Sequence, residues 1–208
     1  MRRTKFTAFA ALCVLFAGAA AGLASAGFAA PVAFANQQSP KANRDALIIQ
    51  GFQQRVAQYV KLHNQLAASL PAQKSTASVE RLNRHQNLLA DKIRAARKGA
   101  KEGAIFTPET SAEFKRLIRI AMRGQGAKRV HSSLRVAERA HLRVHVNQAY
   151  PPGAPLGTTP PTLLQNLPRL PKELDYRLVG RDLVLRDVAA DLIVDIVPAA
   201  IPPGAGGG

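Results

Sequence analysis

The sequence predicts an α+β protein: a basic region of three to four helices, then a Pro-rich extended segment and a small antiparallel β-meander. Three observations carry this. The hydrophobic period changes from three-and-four to two near residue 140. Seven prolines crowd the stretch from Pro151 to Pro171. Charge is one-sided as well, with 20 Lys+Arg against 7 Asp+Glu from Asn36 to Ala140, and 6 against 6 from His141 onward. The 208 residues amount to about one domain, which excludes a large multidomain enzyme.

The first 35 residues read as an export leader. Arg2, Arg3 and Lys5 precede an apolar run from Phe6 to Leu23, and two small-residue exits follow, Ala24-Ser25-Ala26 and Ala33-Phe34-Ala35. The sequence leaves both cleavage sites open. Cys13 is the only cysteine and lies inside the apolar run, so cleavage leaves a chain without thiol or disulfide chemistry. No later stretch is long and apolar enough to span a bilayer, so the expectation is a protein that is soluble after cleavage, periplasmic or extracellular.

Each helix has its own signals. Phe52, Val56, Tyr59, Leu62, Leu66 and Leu70 form one apolar stripe of a helix expected from Arg44 to Leu70, with Pro71 ending it. Leu82, Leu89, Ile93 and Ala96 give a second stripe between Ser78 and Lys98, and Gly99 and Gly103 stand where a stop belongs. A third helix is expected to start at Thr107-Pro108, or at Thr110 with Glu113 as a capping box. Its apolar face is Phe114, Leu117, Ile118 and Ala121. Ala127 to Glu138 allows one further short helix.

From Leu142 to Asn147 apolar and polar residues alternate as in a half-buried strand. The Pro-rich run forbids a central strand or long helix, leaving one helical turn near Thr162 to Leu167. Three β-rich pieces follow, Tyr176 to Val179, Leu183 to Arg186 and Leu192 to Val197, separated by turn residues. The edges of such a meander need a second chain or the Pro-rich wrap to cover them. Pro202 to Gly208 is expected to be a disordered Gly-rich tail.

The order NQAYPPGAPLGTTPPTLL and then LPKELDYRLVGRDLVLRDVAADLIVDIV resembles the C-terminal part of a group of uncharacterised exported bacterial proteins with a helical N-terminal region. The resemblance spans about Ile105 to Ile201 and implies no activity. YRLVGRDLVLRDVAADLIVDIV alone is similar to the terminal hairpin of RcnB-type periplasmic proteins. That likeness implies a role in nickel and cobalt homeostasis, carried as the alternative reading.

Basic side chains give the strongest functional signal. Lys92, Arg94, Arg97, Lys98 and Lys101 form one run, Lys115, Arg116, Arg119 and Arg123 a second, and Lys128, Arg129, Arg135 and Arg139 a third. Such surfaces attract polyanions and release their counterions. Outside the cytoplasm these are anionic lipids, lipopolysaccharide, cell-wall polymers and stray nucleic acid. Specific nucleic-acid binding is not expected, because the interleaved aromatics that stack single-stranded bases are missing. Arginine on solvated helix faces also serves solubility alone.

Other constellations weigh less. His141 and His145 are the candidate metal ligands, but on a strand they lie ~13 Å apart, too far to share one ion. Asp182, Asp187, Asp191 and Asp195 offer oxygen ligands for a hard cation; at turns, aspartate is also favoured for bonding nearby amides. No GxSxG elbow, HExxH, Walker A loop or Rossmann fingerprint is present. A glycan hydrolase would draw on two opposed carboxylates among Glu80, Glu102, Glu109, Glu113 and Glu138, all of which sit where helix dipoles and basic neighbours account for them. His131-Ser132-Ser133 is adjacent in sequence only. The reading is therefore an exported, non-catalytic, envelope-associated accessory protein without a cofactor, whose hairpin edge offers a site for a protein partner.

Overall fold

A computed structural model describes residues 40–71, 78–123, 142–152 and 159–203. The leader, the further short helix expected over 127–138, His131-Ser132-Ser133, the third basic run, Glu138, His141, the middle of the Pro-rich run and the tail from Gly204 lie outside the described residues. Helices α1 (Pro40–Ala68), α2 (Val79–Ala96) and α3 (Pro108–Ala121) precede a short α4 (Pro161–Leu164) and strands β1 (Leu174–Val179), β2 (Asp182–Asp187) and β3 (Leu192–Val197). The architecture is α+β, three helices followed by an antiparallel sheet of order β1-β2-β3.

Local chemistry places the ends. Ser78 caps α2, its side chain accepting from the Arg81 amide, and Glu80 lies in the first turn. Thr107 caps α3 and accepts from the Thr110 amide, with Pro108 opening the helix. Of the two starts the sequence allows, the structure has the one at Thr107, and Glu113 instead faces Arg116. Gly180 opens the two-residue β1–β2 loop at φ 59, the left-handed conformation this position requires.

One core runs through both the basic and the neutral part. Phe52 of α1, Phe114 of α3 and Phe106 of the loop between α2 and α3 meet with ring centroids 4.9 to 5.5 Å apart, and Tyr176 of β1 closes on Phe114 at 5.9 Å. Leu174, Leu178, Leu183, Leu185, Leu192, Val194 and Val197 join them from the sheet. Val179, Val184, Ile193 and Ile196 point to the other face, covered by Val144 and Tyr150.

A bulge interrupts the strict alternation of β3. Leu185 pairs with Asp195 and Arg186 with Ile193, so Val194 is the extra residue. Val194 and Asp195 consequently both turn toward the helices, and all six β3 residues are buried.

Between Leu142 and Gln148 the chain does not form the strand that alternation predicts. It runs irregularly into a turn, with Gln148 N–H bonded to the His145 carbonyl at 3.2 Å and Asn147 at φ 64. The segment then lies along the β3 edge: Asn147 N–H donates to Ile193 O, Ile193 N–H to Gln148 O, and Tyr150 N–H to Asp191 O, all at 2.8 to 2.9 Å. On the β1 edge, the Thr159 hydroxyl donates to Tyr176 O at 2.7 Å.

Candidate functional site

The nine described cations of the first two basic runs divide by what holds them. Arg97 at the end of α2 is structural. Its guanidinium donates to Val194 O at 2.9 Å and Asn147 Oδ1 at 3.2 Å, and lies 5.2 Å from the centre of the Tyr59 ring. Burial pulls its pKa below the usual arginine value, yet a guanidinium keeps its charge. Arg94 donates to Asp91 at 2.8 Å and to Asn147 O at 3.0 Å. Arg116 holds Glu113 at 2.7 Å and Asp45 at 3.1 Å, and its pKa rises through the bond to Glu113.

The other six face outward. Lys92, Lys98, Lys101, Arg119 and Arg123 are exposed and Lys115 is half-buried. None forms an ion pair among the described residues, where the bridges go to His63, Arg94, Arg116, Arg177 and Arg186. A cleft of about 480 Å³ between the start of α1 and α3 is lined by Arg44, Arg116 and Arg119, but also by Asp45, Glu109 and Glu113. Its charge is therefore mixed, and it is no anion pocket.

Carboxylates are withdrawn by the sheet. Asp187 and Asp195 are fully buried. Asp187 Oδ2 accepts the Tyr59 hydroxyl at 2.7 Å and meets His63 Nδ1 at 2.6 Å, both from α1, while Oδ1 accepts the Ala190 amide at 2.8 Å. Asp195 accepts four amides: Gly103 and Ile196 on Oδ1, Ile105 and Phe106 on Oδ2, at 2.7 to 3.0 Å. A loop with converging N–H groups is an anion-binding nest, and here the chain's own aspartate fills it. The His63 pKa is raised, chiefly by its hydrogen bond to Asp187. Burial, with the neighbouring Asp187 charge, pushes the Tyr59 hydroxyl far above its ordinary value, so it stays a donor.

The metal candidates do not converge. His145 is exposed. Asp182 accepts the Ala199 amide at 2.8 Å, and Asp191, in a left-handed turn at φ 47, holds Arg186 at 2.9 Å. Asp187 is enclosed as above, and among the described residues no group of three or more His, Cys, Asp or Glu side chains could hold an ion. Sequence reasoning puts these aspartates at turns, which Asp187 and Asp191 do serve. It misses Tyr59 and His63, one helical turn apart on α1, as the partners of Asp187.

A second cleft, of about 400 Å³, opens beside β1 between Leu164, Leu170 and Tyr176, with Arg169, Asp175 and Arg177 at its sides. Asp175 there is shared by Arg177 and Arg186. No protein-family model, curated protein or solved structure significantly matches the chain. Among the described residues no helix is long and apolar enough to cross a membrane.

Proposed function

We propose that this chain is an exported, non-catalytic accessory protein of the cell envelope that binds anionic envelope components through its basic helices. The supporting observation is the asymmetry of its ion pairing. Asp187 and Asp195 are buried, Asp45, Asp91, Glu113, Asp175 and Asp191 are matched with arginines, and Glu80, Glu102 and Glu109 are exposed without an ion pair, whereas Lys92, Lys98, Lys101, Arg119 and Arg123, with Arg81 and Arg84 besides, stand exposed without one among the described residues. Lys92, Lys98 and Lys101 follow one another along the end of α2 and its loop, and Arg119 and Arg123 lie one turn apart at the end of α3. Each cation that replaces a counterion on a polyanion adds affinity, and that affinity falls with salt.

The test is co-sedimentation of residues 36–208 with the isolated cell-envelope fraction from about 50 to 500 mM salt, a range over which several phosphate contacts are lost. Steep loss of binding is expected, as is its abolition by K92E/K98E/K101E at the low end. Absence of binding at low salt overturns the reading. Binding that ignores salt also overturns it and favours a specific protein or metal-dependent partner.

A further inference from the structure

The cleft beside β1 is lined, among the described residues, by side chains of the neutral part of the chain alone, between Thr159 and Arg177. Local chemistry shapes it. Pro160 and Pro161 open α4, whose amides at Leu163 and Leu164 both donate to Pro160 O. That single turn buries Leu163 completely and leaves Leu164 at the cleft, 41% exposed. Pro168 and the half-buried Leu170 continue the wall toward Leu174 of β1.

Most polar side chains of the cleft already have partners. The Thr159 hydroxyl donates to Tyr176 O at 2.7 Å and the Tyr176 hydroxyl to Pro168 O at 3.0 Å. Asp175 is shared by Arg177 at 2.7 Å and Arg186 at 2.9 Å. Arg169 differs from these: it lines the cleft, is exposed, and forms no ion pair among the described residues. One cavity of about 400 Å³ thus combines an aliphatic wall with one available guanidinium, and its size falls in the range of small-molecule sites, ~300–1,000 Å³.

The complement of that surface is an apolar body with one negative charge at its end. A guanidinium fork matches a carboxylate bidentately, and one free cation balances one charge. A peptide would turn N–H and C=O groups against the wall, where the neighbouring hydroxyls and Asp175 are already bonded, and polar groups buried without partners cost affinity. An alkyl chain brings none.

We infer that this cleft binds a long-chain carboxylate, its alkyl chain along Leu164, Pro168 and Leu170 and its carboxylate on Arg169. The site goes beyond the envelope-binding reading and uses none of the residues on which that reading stands.

The chain contains no tryptophan, so Leu164→Trp, at an exposed position, places a single indole at the cleft. Residues 36–208 carrying it are titrated with dodecanoate below the concentration at which it forms micelles. The emission is expected to shift to the blue and to saturate at one molecule per chain. Calorimetry on the chain with Leu164 intact should give the same stoichiometry. Octanoate, four methylenes shorter, should bind at least tenfold more weakly, since each buried methylene multiplies affinity about fourfold. Dodecyltrimethylammonium, with the same chain and the opposite charge, should not bind. Arg169→Gln should weaken dodecanoate about tenfold through the lost charge-assisted bonds, while co-sedimentation with the envelope fraction stays unchanged. K92E/K98E/K101E should do the reverse.

Dodecanoate binding that ignores Arg169→Gln, that does not depend on chain length, or that disappears in K92E/K98E/K101E overturns the proposal. An acetylated tripeptide ending in leucine that binds more tightly than dodecanoate also overturns it, because the occupant is then a peptide terminus. Each of these results leaves the salt dependence of envelope binding to be judged separately.

Discussion

Asp195→Asn tests the idea that the meander locks the helices through a carboxylate in a nest of amides. The wild-type side chain is fully buried and accepts the N–H groups of Gly103 at 3.0 Å, Ile105 at 2.7 Å, Phe106 at 2.7 Å and Ile196 at 2.9 Å. Asparagine keeps one acceptor oxygen. If that oxygen stays with Ile105 and Phe106, its NH2 group is directed at the Gly103 and Ile196 amides, which lose their acceptor. Each such orphaned donor costs ~1–3 kcal/mol, so a loss of about 4 kcal/mol is expected. In a urea titration followed by far-ultraviolet circular dichroism, with a slope of ~2 kcal/mol per molar, the midpoint should fall by about 2 M. Asp182→Asn is the control. That residue makes a single exposed bond to the Ala199 amide at 2.8 Å, so its loss should stay below ~1 kcal/mol. An Asp195→Asn variant no less stable than this control would refute the nest as the lock.

The remaining predictions concern α1, the end of α2 and the loop behind it. Because His63 titrates higher in the folded chain than in the unfolded one, its bond to Asp187 contributes in full below the unfolded value near pH ~6.5 and is lost as pH rises through the folded one. Urea midpoints from pH 5 to 9 should therefore contain a downward component that His63→Gln removes, and an identical profile in the variant would sink this assignment. Arg97→Gln should destabilise the fold by about 2 kcal/mol through the lost bonds to Val194 and Asn147. Lys98→Gln should leave stability unchanged and weaken only envelope binding, and equal melting of the two variants would contradict the split into anchored and outward cations. Gly103 sits at φ 88, so Gly103→Ala should cost about 1 kcal/mol from backbone strain. A neutral substitution would mean that the loop relaxes without losing Asp195.

Helix and strand positions are legible in the amino-acid sequence because their causes are local. Helical spacing, Ser78 and Thr107 as caps, Gly99 past the end of α2 and Gly180 in a tight loop each constrain the backbone within a few residues. The expected strands agree with β1, β2 and β3 to within two residues at each end, and α3 begins at Thr107-Pro108, one of the two starts that the sequence allows. The strand expected over Leu142–Asn147 fails for a tertiary reason. Alternation reports which side chains are covered, and Val144 and Val146 are indeed packed against the outer sheet face. Their backbone, however, turns at Asn147 to run along the β3 edge.

The candidate site is legible in composition and not in arrangement. The one-sided charge of the basic runs is a property of the sequence itself, because no packing changes which residues carry it. Which cations remain at the surface is a different matter. Arg97 reads like Lys98 in the sequence, yet one is bonded under the sheet and the other faces water. Asp187 reads as a turn aspartate and does bond the amide of Ala190, whereas Asp195 falls inside the expected strand Leu192 to Val197. Their distant partners are Tyr59 and His63, 128 and 124 residues from Asp187, and the amides of Gly103, Ile105 and Phe106, about 90 residues from Asp195. The bulge at Val194 also had to turn Asp195 toward the helices. Local chemistry sets dihedrals, period and charge, but a bond across such separations exists only once two faces have met, and the shared core of helices and sheet decides which faces those are.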